Sequence, residues 1–299
     1  MKIVCIGSAA YDITIPMDEF PKENTKNRVN ARMECGGGPA SNAAYLLGKW
    51  GADVSFLGIV GNDEYGNVIK KEFEDVGVST KYLELSDEYT TTSSFIVANV
   101  SNGSRTILSY RPSEMTMNDI ELDFTPDVLL LDGQEYELSK KLLEKYKDAI
   151  SIIDAGRYIE TNIELAKMCD HVVCSKEFAE EASGVKVDFD NLSSLTKIYK
   201  KLKEQFGGTI VVTLESKGAL YNYNGNLKVM KPLKVTPKDS TGAGDIFHGA
   251  YAYCVSKNMD FQDVIRVSNI AGSLSVEKIG GRYSMPSLDD IKEHFNEIK

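Results

Sequence analysis

Six short apolar runs rich in β-branched residues, at 3–7, 54–58, 128–131, 150–153, 171–174 and 210–214, constrain the fold of this chain more than any other feature. Each has the length of a strand, and stretches with helical spacing separate many of them, at 39–49, 64–75, 139–147, 161–169, 176–182 and 192–205. Strand-then-helix alternation makes neighbouring strands parallel, because each connection must return across a face of the sheet. Such strands are covered by helices on both faces. The expected class is therefore α/β: a three-layer α/β/α domain with a mostly parallel central sheet. A chain of 299 residues has ample core for it. With no internal repeat, low-complexity tract or linker, residues 1–299 are read as one domain.

Two segments, at about 10–35 and 90–110, break the alternation. They read as extended chain in which polar and apolar residues alternate, as from Thr92 to Val100, and no helix follows either immediately. Paired, they would make a small sheet beside the main one, placed as a lid over a site. An ordinary edge hairpin turning around Ser101-Asn102-Gly103-Ser104 is the other open reading.

Composition narrows the classes of partner. The formal charge is −10, from 34 basic and 44 acidic residues, which argues against a nucleic-acid or acidic-membrane surface. Five scattered cysteines, Cys5, Cys35, Cys169, Cys174 and Cys254, lack the spacing of a metal or redox pair and are expected as buried free thiols. No apolar run approaches the roughly 18 residues of a membrane span, and Ile3-Val4-Cys5-Ile6 reads as a strand, not a signal peptide. The expected location is the cytoplasm.

Two glycine-rich segments stand where such a fold places chemistry. In Asp239-Ser240-Thr241-Gly242-Ala243-Gly244-Asp245 the small residues precede a helical stretch marked by Ile246, Phe247, Ala250 and Tyr251. A helix N-terminus favours an anion through its unpaired N–H groups and dipole, and glycine admits a phosphate to the backbone. A carboxylate is out of place if the anion is only to be bound. It makes sense if Asp245 takes a proton from a hydroxyl that attacks the phosphate. On this segment alone, a tight loop with Asp245 as a capping carboxylate is equally open. The earlier cluster, Gly36-Gly37-Gly38-Pro39-Ala40-Ser41-Asn42-Ala43-Ala44, also opens a helix, with Pro39 suited to its first turn. Asn42 both donates and accepts hydrogen bonds, as sugar hydroxyls require; bonding to nearby backbone is its alternative use.

Together the two segments resemble the signatures of the PfkB, or ribokinase-like, family of carbohydrate kinases, and the resemblance runs nearly end to end. The amino-terminal signature is carried by Gly37, Gly38 and Asn42, continuing through Gly48, Gly51 and residues 58–66, and the carboxy-terminal one by residues 239–245. The triple glycine with Pro39, residues 103–107, Phe247-His248-Gly249-Ala250 and Gly280-Gly281-Arg282 look closest to the ketohexokinase and sulfofructose kinase branch. The resemblance implies a ribokinase-like, Rossmann-like fold. It also implies transfer of the γ-phosphate of ATP to a primary hydroxyl of a monosaccharide, a ketose or related furanose.

By the same resemblance, Asp245 is the catalytic base and Gly242, Ala243 and Gly244 form the anion hole. Asp12, Gly37, Gly38, Asn42 and Arg105 are implied as sugar contacts, and Ser175, Thr213, Gly218, Gly242, Gly244 and Asn269 as nucleotide contacts. ATP implies Mg²⁺, and some relatives hold a monovalent cation such as K⁺ at positions matching Asp239 and Thr241. One departure stands out: Ser175 and Phe178 occupy the places of an Asn-x-x-Glu motif that many members use to organise Mg²⁺. Glu177 is a candidate replacement, or simply a solvated glutamate at a helix start. Lid strands suggest a homodimer, and an anionic sugar would call on Lys26, Arg28, Arg32, Arg105 or Arg111. Two alternatives stay open: a nucleoside kinase of the same superfamily, with Tyr11, Phe20 or Phe95 stacking on a base, and a catalytically silent sugar- or nucleotide-binding regulator.

Overall fold

The structure is a computed structural model that describes residues 1–189 and 191–298. From the amino terminus, β1 (Lys2–Ile6), β2 (Ala10–Met17) and β3 (Met33–Gly37) lead into α1 (Pro39–Lys49). Next come β4 (Asp53–Gly61), α2 (Glu64–Asp75), β5 (Leu83–Ser86), β6 (Ser93–Asn99) and β7 (Ser104–Tyr110). The middle of the chain alternates β8 (Val128–Leu131), α3 (Tyr136–Lys145), β9 (Ile150–Ala155), α4 (Glu160–Met168), β10 (His171–Ser175), α5 (Lys176–Ser183) and α6 (Leu192–Phe206). It closes with β11 (Thr209–Thr213), β12 (Ala219–Tyr223), β13 (Asn226–Met230), α7 (Ala243–Ser256), α8 (Phe261–Ser275) and α9 (Leu288–His294).

The main sheet runs β13-β12-β11-β10-β9-β8-β1-β4-β5 and is parallel except for β12 and β13 at one edge. Successive residues of a strand face opposite sides of a sheet. Ile3 and Cys5 accordingly enter a core shared with Leu46 and Leu47 of α1, Tyr251 of α7 and Ile270 of α8. Val4 and Ile6 enter the other, with Leu142 of α3, Leu165 of α4, Phe178 of α5 and Leu202 of α6. The expected α/β/α layering is present. All five cysteines are free and buried. Among the described residues, no helix is long and apolar enough to cross a membrane.

The two segments that broke the alternation make a second sheet, ordered β3-β2-β6-β7, in which β2 and β6 run parallel and the other pairs antiparallel. The sequence alone does not show the β12–β13 hairpin, and it places the start of α3 too late. The β12–β13 hairpin departs from strand–helix alternation, although Asn224-Gly225 between its strands is a strong hairpin signal. Helix α3 begins three residues before its expected start, with Glu135 at its N-cap.

Strand β1 lies between β4 and β8, so the chain winds outward from it in both directions. Sheets of this kind open a crevice beyond the carboxyl ends of their strands at such a reversal. Asp132, just past β8, pins it: Oδ2 accepts the Ser8 N–H at 2.8 Å and the Ala40 N–H at 3.1 Å, and Oδ1 accepts the Gln134 N–H at 2.9 Å. One partly buried carboxylate thereby fixes the loop after β1 to the start of α1.

Candidate active site

The two glycine motifs meet above this crevice. Asn42 in the first turn of α1 donates from Nδ2 to Asp245 Oδ2 at 2.7 Å, joining residues 203 positions apart. Asn42 is buried, and its Oδ1 has no hydrogen-bond partner among the described residues. A buried acceptor left so costs about 1–3 kcal/mol unless a ligand hydroxyl or water serves it. Gly242, at φ 75°, takes the left-handed conformation that turns the chain into α7. Nothing stands within 4 Å of where a Cβ on Gly244 would lie, so the first turn of α7 is open to a ligand. That turn carries Ala243, Gly244 and Asp245. The turn itself is tied by Asp239, whose Oδ1 accepts the Thr241 N–H at 2.9 Å and the Thr241 hydroxyl at 2.6 Å. Its Oδ2 accepts the Gly280 N–H at 2.9 Å.

Asp12 projects from β2, in register with Ser94 of β6, and packs against Gly37, where a Cβ would fall on its carboxylate. Burial pushes the Asp12 carboxyl up to about 6; a hydrogen bond from Ser94 and the charge of Arg282 oppose the rise, while Asp245 and Asp239 add to it. Beneath Gly36 lies Arg282, buried and paired with Glu72, donating from Nη2 to Ser41 Oγ at 2.6 Å. Its guanidinium stacks 4.7 Å from the Tyr45 ring and 4.8 Å from the Phe73 ring. Glu72 also accepts the Gly36 N–H at 2.9 Å, so this pair holds the glycine strand from behind. From the second sheet, Arg105 donates from Nη1 to Ser240 Oγ at 2.7 Å, and the Gly103 carbonyl accepts the Ser240 N–H at 3.1 Å. The tip of the β6–β7 hairpin thus rests on the turn that leads into α7.

Asp12, Gly37, Asn42, Gly242 and Asp245 are thus brought together, with Arg105 at the rim. Ser175 and Thr213 stand at the carboxyl ends of β10 and β11, where Thr213 donates from Oγ1 to the Cys174 carbonyl at 3.3 Å. Gly218, at φ 96°, follows them, its backbone against Met230. Asn269 is turned inward, donating to the Met230 carbonyl at 3.1 Å, so its amide anchors the end of β13. Residues that the site reading passed over are Asp132 and Asp154, at the ends of β8 and β9, and His248 on α7. The two carboxylates had a usable signal: a carboxylate closing an apolar strand run points at the crevice of a parallel sheet.

Among the described residues no group of three or more His, Cys, Asp or Glu is placed to hold a metal ion. Ser175 acts as a helix cap, accepting the Phe178 N–H at 3.0 Å and donating to the Gly156 carbonyl at 3.0 Å. Phe178 is core, and Glu177 is exposed beside Lys176. A magnesium ion that keeps its waters and binds through substrate phosphates, as MgATP, suits such a surface. Asp239, matched to a monovalent-cation position, directs both oxygens at protein donors.

A family model described as pfkB family carbohydrate kinase matches residues 1–288. The chain belongs to this family. It is a carbohydrate kinase, passing phosphate to a hydroxyl group. This PfkB-family chain is 26% identical to ribokinase of Staphylococcus aureus, an alignment covering 98% of it and 99% of the relative. It is 24% identical to ketohexokinase of Mus musculus, over 89% of this chain and 92% of that one. To a nucleoside kinase of Methanocaldococcus jannaschii it is 22% identical, over 98% and 96%. The solved ribokinase of Arabidopsis thaliana, complexed with ribose and ATP, superposes with a TM-score of 0.78 at 23% identity, covering 98% of each chain. A ribokinase from Thermotoga maritima gives 0.80 at 23% identity, covering 99% of each. The ribokinase-like fold is thereby shared.

Proposed function

We propose that this PfkB-family kinase transfers the γ-phosphoryl group of MgATP to the primary hydroxyl of a furanose pentose, ribose or a close analogue. The observation that carries the reading is the Asn42–Asp245 hydrogen bond, which sets an acceptor-site amide beside the carboxylate at the mouth of α7. Asp12 and Asn42 would receive and orient the sugar's hydroxyls against Gly37 and Gly38. Asp245 would take the proton of the attacking hydroxyl, and the N–H groups around Gly242, Ala243 and Gly244 would face the transferring phosphoryl group. The nucleotide would lie along Ser175, Thr213 and Gly218. The second sheet would act as the lid, excluding water that competes as acceptor.

End-to-end alignment with ribokinases favours an aldopentose over the ketose expected from likeness to the ketohexokinase branch. For a nucleoside acceptor, Tyr11 is a poor stacking platform, since its ring lies 4.1 Å from that of Tyr65 at an interplanar angle of 5° and is buried. A homodimer through the second sheet belongs to the same reading: every residue of edge strand β7 is exposed, Leu108 and Tyr110 among them. The test is Asp245→Asn. Turnover should fall by about a thousandfold or more with MgATP binding retained, whereas near wild-type turnover would remove the base. ADP release measured over a panel of pentoses, ketohexoses and nucleosides identifies the acceptor.

A further inference from the structure

His248 lies on α7 three residues beyond Asp245 and is 3% exposed. Its Nδ1 is 2.6 Å from the Gly244 carbonyl oxygen and 3.2 Å from Asp154 Oδ2; its Nε2 is 3.0 Å from the Val173 carbonyl oxygen. Carbonyl oxygens only accept, so each ring nitrogen is called on to donate. A neutral imidazole has one N–H and would set a lone pair against one of the two carbonyls. The doubly protonated ring satisfies both, and Asp154 supplies the opposite charge.

Burial raises the Asp154 carboxyl to about 7; His248 opposes that rise, and Asp245 and Asp132 add to it. Besides His248, the groups whose charges act on Asp154 are Asp245 on α7 and Asp132 beyond β8, and Cys174 of β10 feels Asp154 in turn. None of them is a cation. Carboxylates crowd this end of the sheet.

The Gly244 carbonyl belongs to the same peptide unit as the Asp245 N–H. Donation into that carbonyl polarises the unit and strengthens its N–H as a donor in the first turn of α7. We propose that His248, charged and held by Asp154, is a positioning residue for phosphoryl transfer: it fixes the Gly244–Asp245 peptide and places a positive charge beneath the anion hole. The inference rests on the reading of Asp245 as the base. In the reaction the sugar oxygen bonds to the γ-phosphorus while the bond from that phosphorus to the β–γ bridging oxygen breaks. The hydroxyl proton passes to Asp245 and ADP leaves. The His248 protons stay where they are.

Nitrogen-15 NMR of the histidine-labelled, unliganded wild-type protein at neutral pH tests the charge, with three histidines to assign. Both His248 ring nitrogens should carry protons, and one should be lost in Asp154→Asn. In His248→Asn and Asp154→Asn, kcat should fall about tenfold or more, with the KM for sugar and for MgATP changed by less than about threefold. A single protonated nitrogen in the wild type overturns the proposal, as does wild-type kcat in a folded His248→Asn protein. The NMR result does not depend on Asp245 being the base, so failure of that reading would show separately in Asp245→Asn.

Discussion

Asn42 and Asp245 share a hydrogen bond of 2.7 Å while Asn42 Oδ1 goes without a partner among the described residues, so one side chain both orients the carboxylate and keeps an acceptor free. Asn42→Ala removes both functions. It should lower kcat/KM for the sugar by about a hundredfold, with MgATP affinity nearly unchanged. Asn42→Asp would set two carboxylates face to face, and the acidic limb of its pH–rate profile should move to higher pH by about a unit. Steady-state kinetics across pH checks both, and an unmoved limb in Asn42→Asp would count against the direct pairing.

The Asp12 carboxyl, raised by burial to about 6, should make sugar use pH-dependent. Below that value the group is protonated and accepts hydroxyl donors poorly, so the KM for sugar should rise as pH falls through 6. Stability should run the other way. A carboxyl raised in the folded state favours folding below its unfolded value, near 4, and that contribution is lost as pH rises through about 6. Asp12→Asn should therefore raise the melting temperature by about 3 °C at pH 8 and by little at pH 4, while sugar affinity falls. Thermal unfolding at the two pH values decides it.

The layers of the fold were legible in the sequence because parallel strands buried on both faces leave unmistakable runs, such as Val128 to Leu131, all four of them buried. The β12–β13 hairpin was not, because its strands carry partly exposed residues such as Asn222 and Tyr223 in place of a continuous apolar run. Asp245, Asn42 and Asp12 were legible only as members of two motifs in a known order, since no local rule says that positions 42 and 245 touch. His248 and Asp154 stayed invisible as a pair for a similar reason. One lies on a helix and the other at a strand end, and only the sheet order brings β9 beneath α7.

Arg282 is buried in an ion pair with the half-buried Glu72, beside Ser41 and the two flanking rings. Removing one partner strands the other's charge, which costs about 3–5 kcal/mol in comparable sites. Arg282→Ala should lose about that much in chemical denaturation and weaken sugar binding as well, because Glu72 also holds the Gly36 backbone. Glu72→Gln keeps a neutral acceptor for the guanidinium and should lose less. Equal losses in the two variants would show that charge pairing is not what matters there.

Gly37→Ala probes the wall of the sugar site without touching any charge. Gly37 does not have the positive φ that an alanine would resist, so the backbone tolerates the change. The obstacle is space: a Cβ at this position would lie on the Asp12 carboxylate. Asp12 must then rotate away from the position at which it meets the hydroxyls, and a displaced contact of this kind costs about a hundredfold. The KM for sugar should therefore rise steeply, with MgATP affinity preserved and the melting temperature lowered by only a few degrees. Combining Gly37→Ala with Asp12→Asn should cost little more than Asp12→Asn alone, because both act on one contact. Additive losses in that double-mutant cycle would mean that Gly37 serves the sugar through its own backbone and not through Asp12.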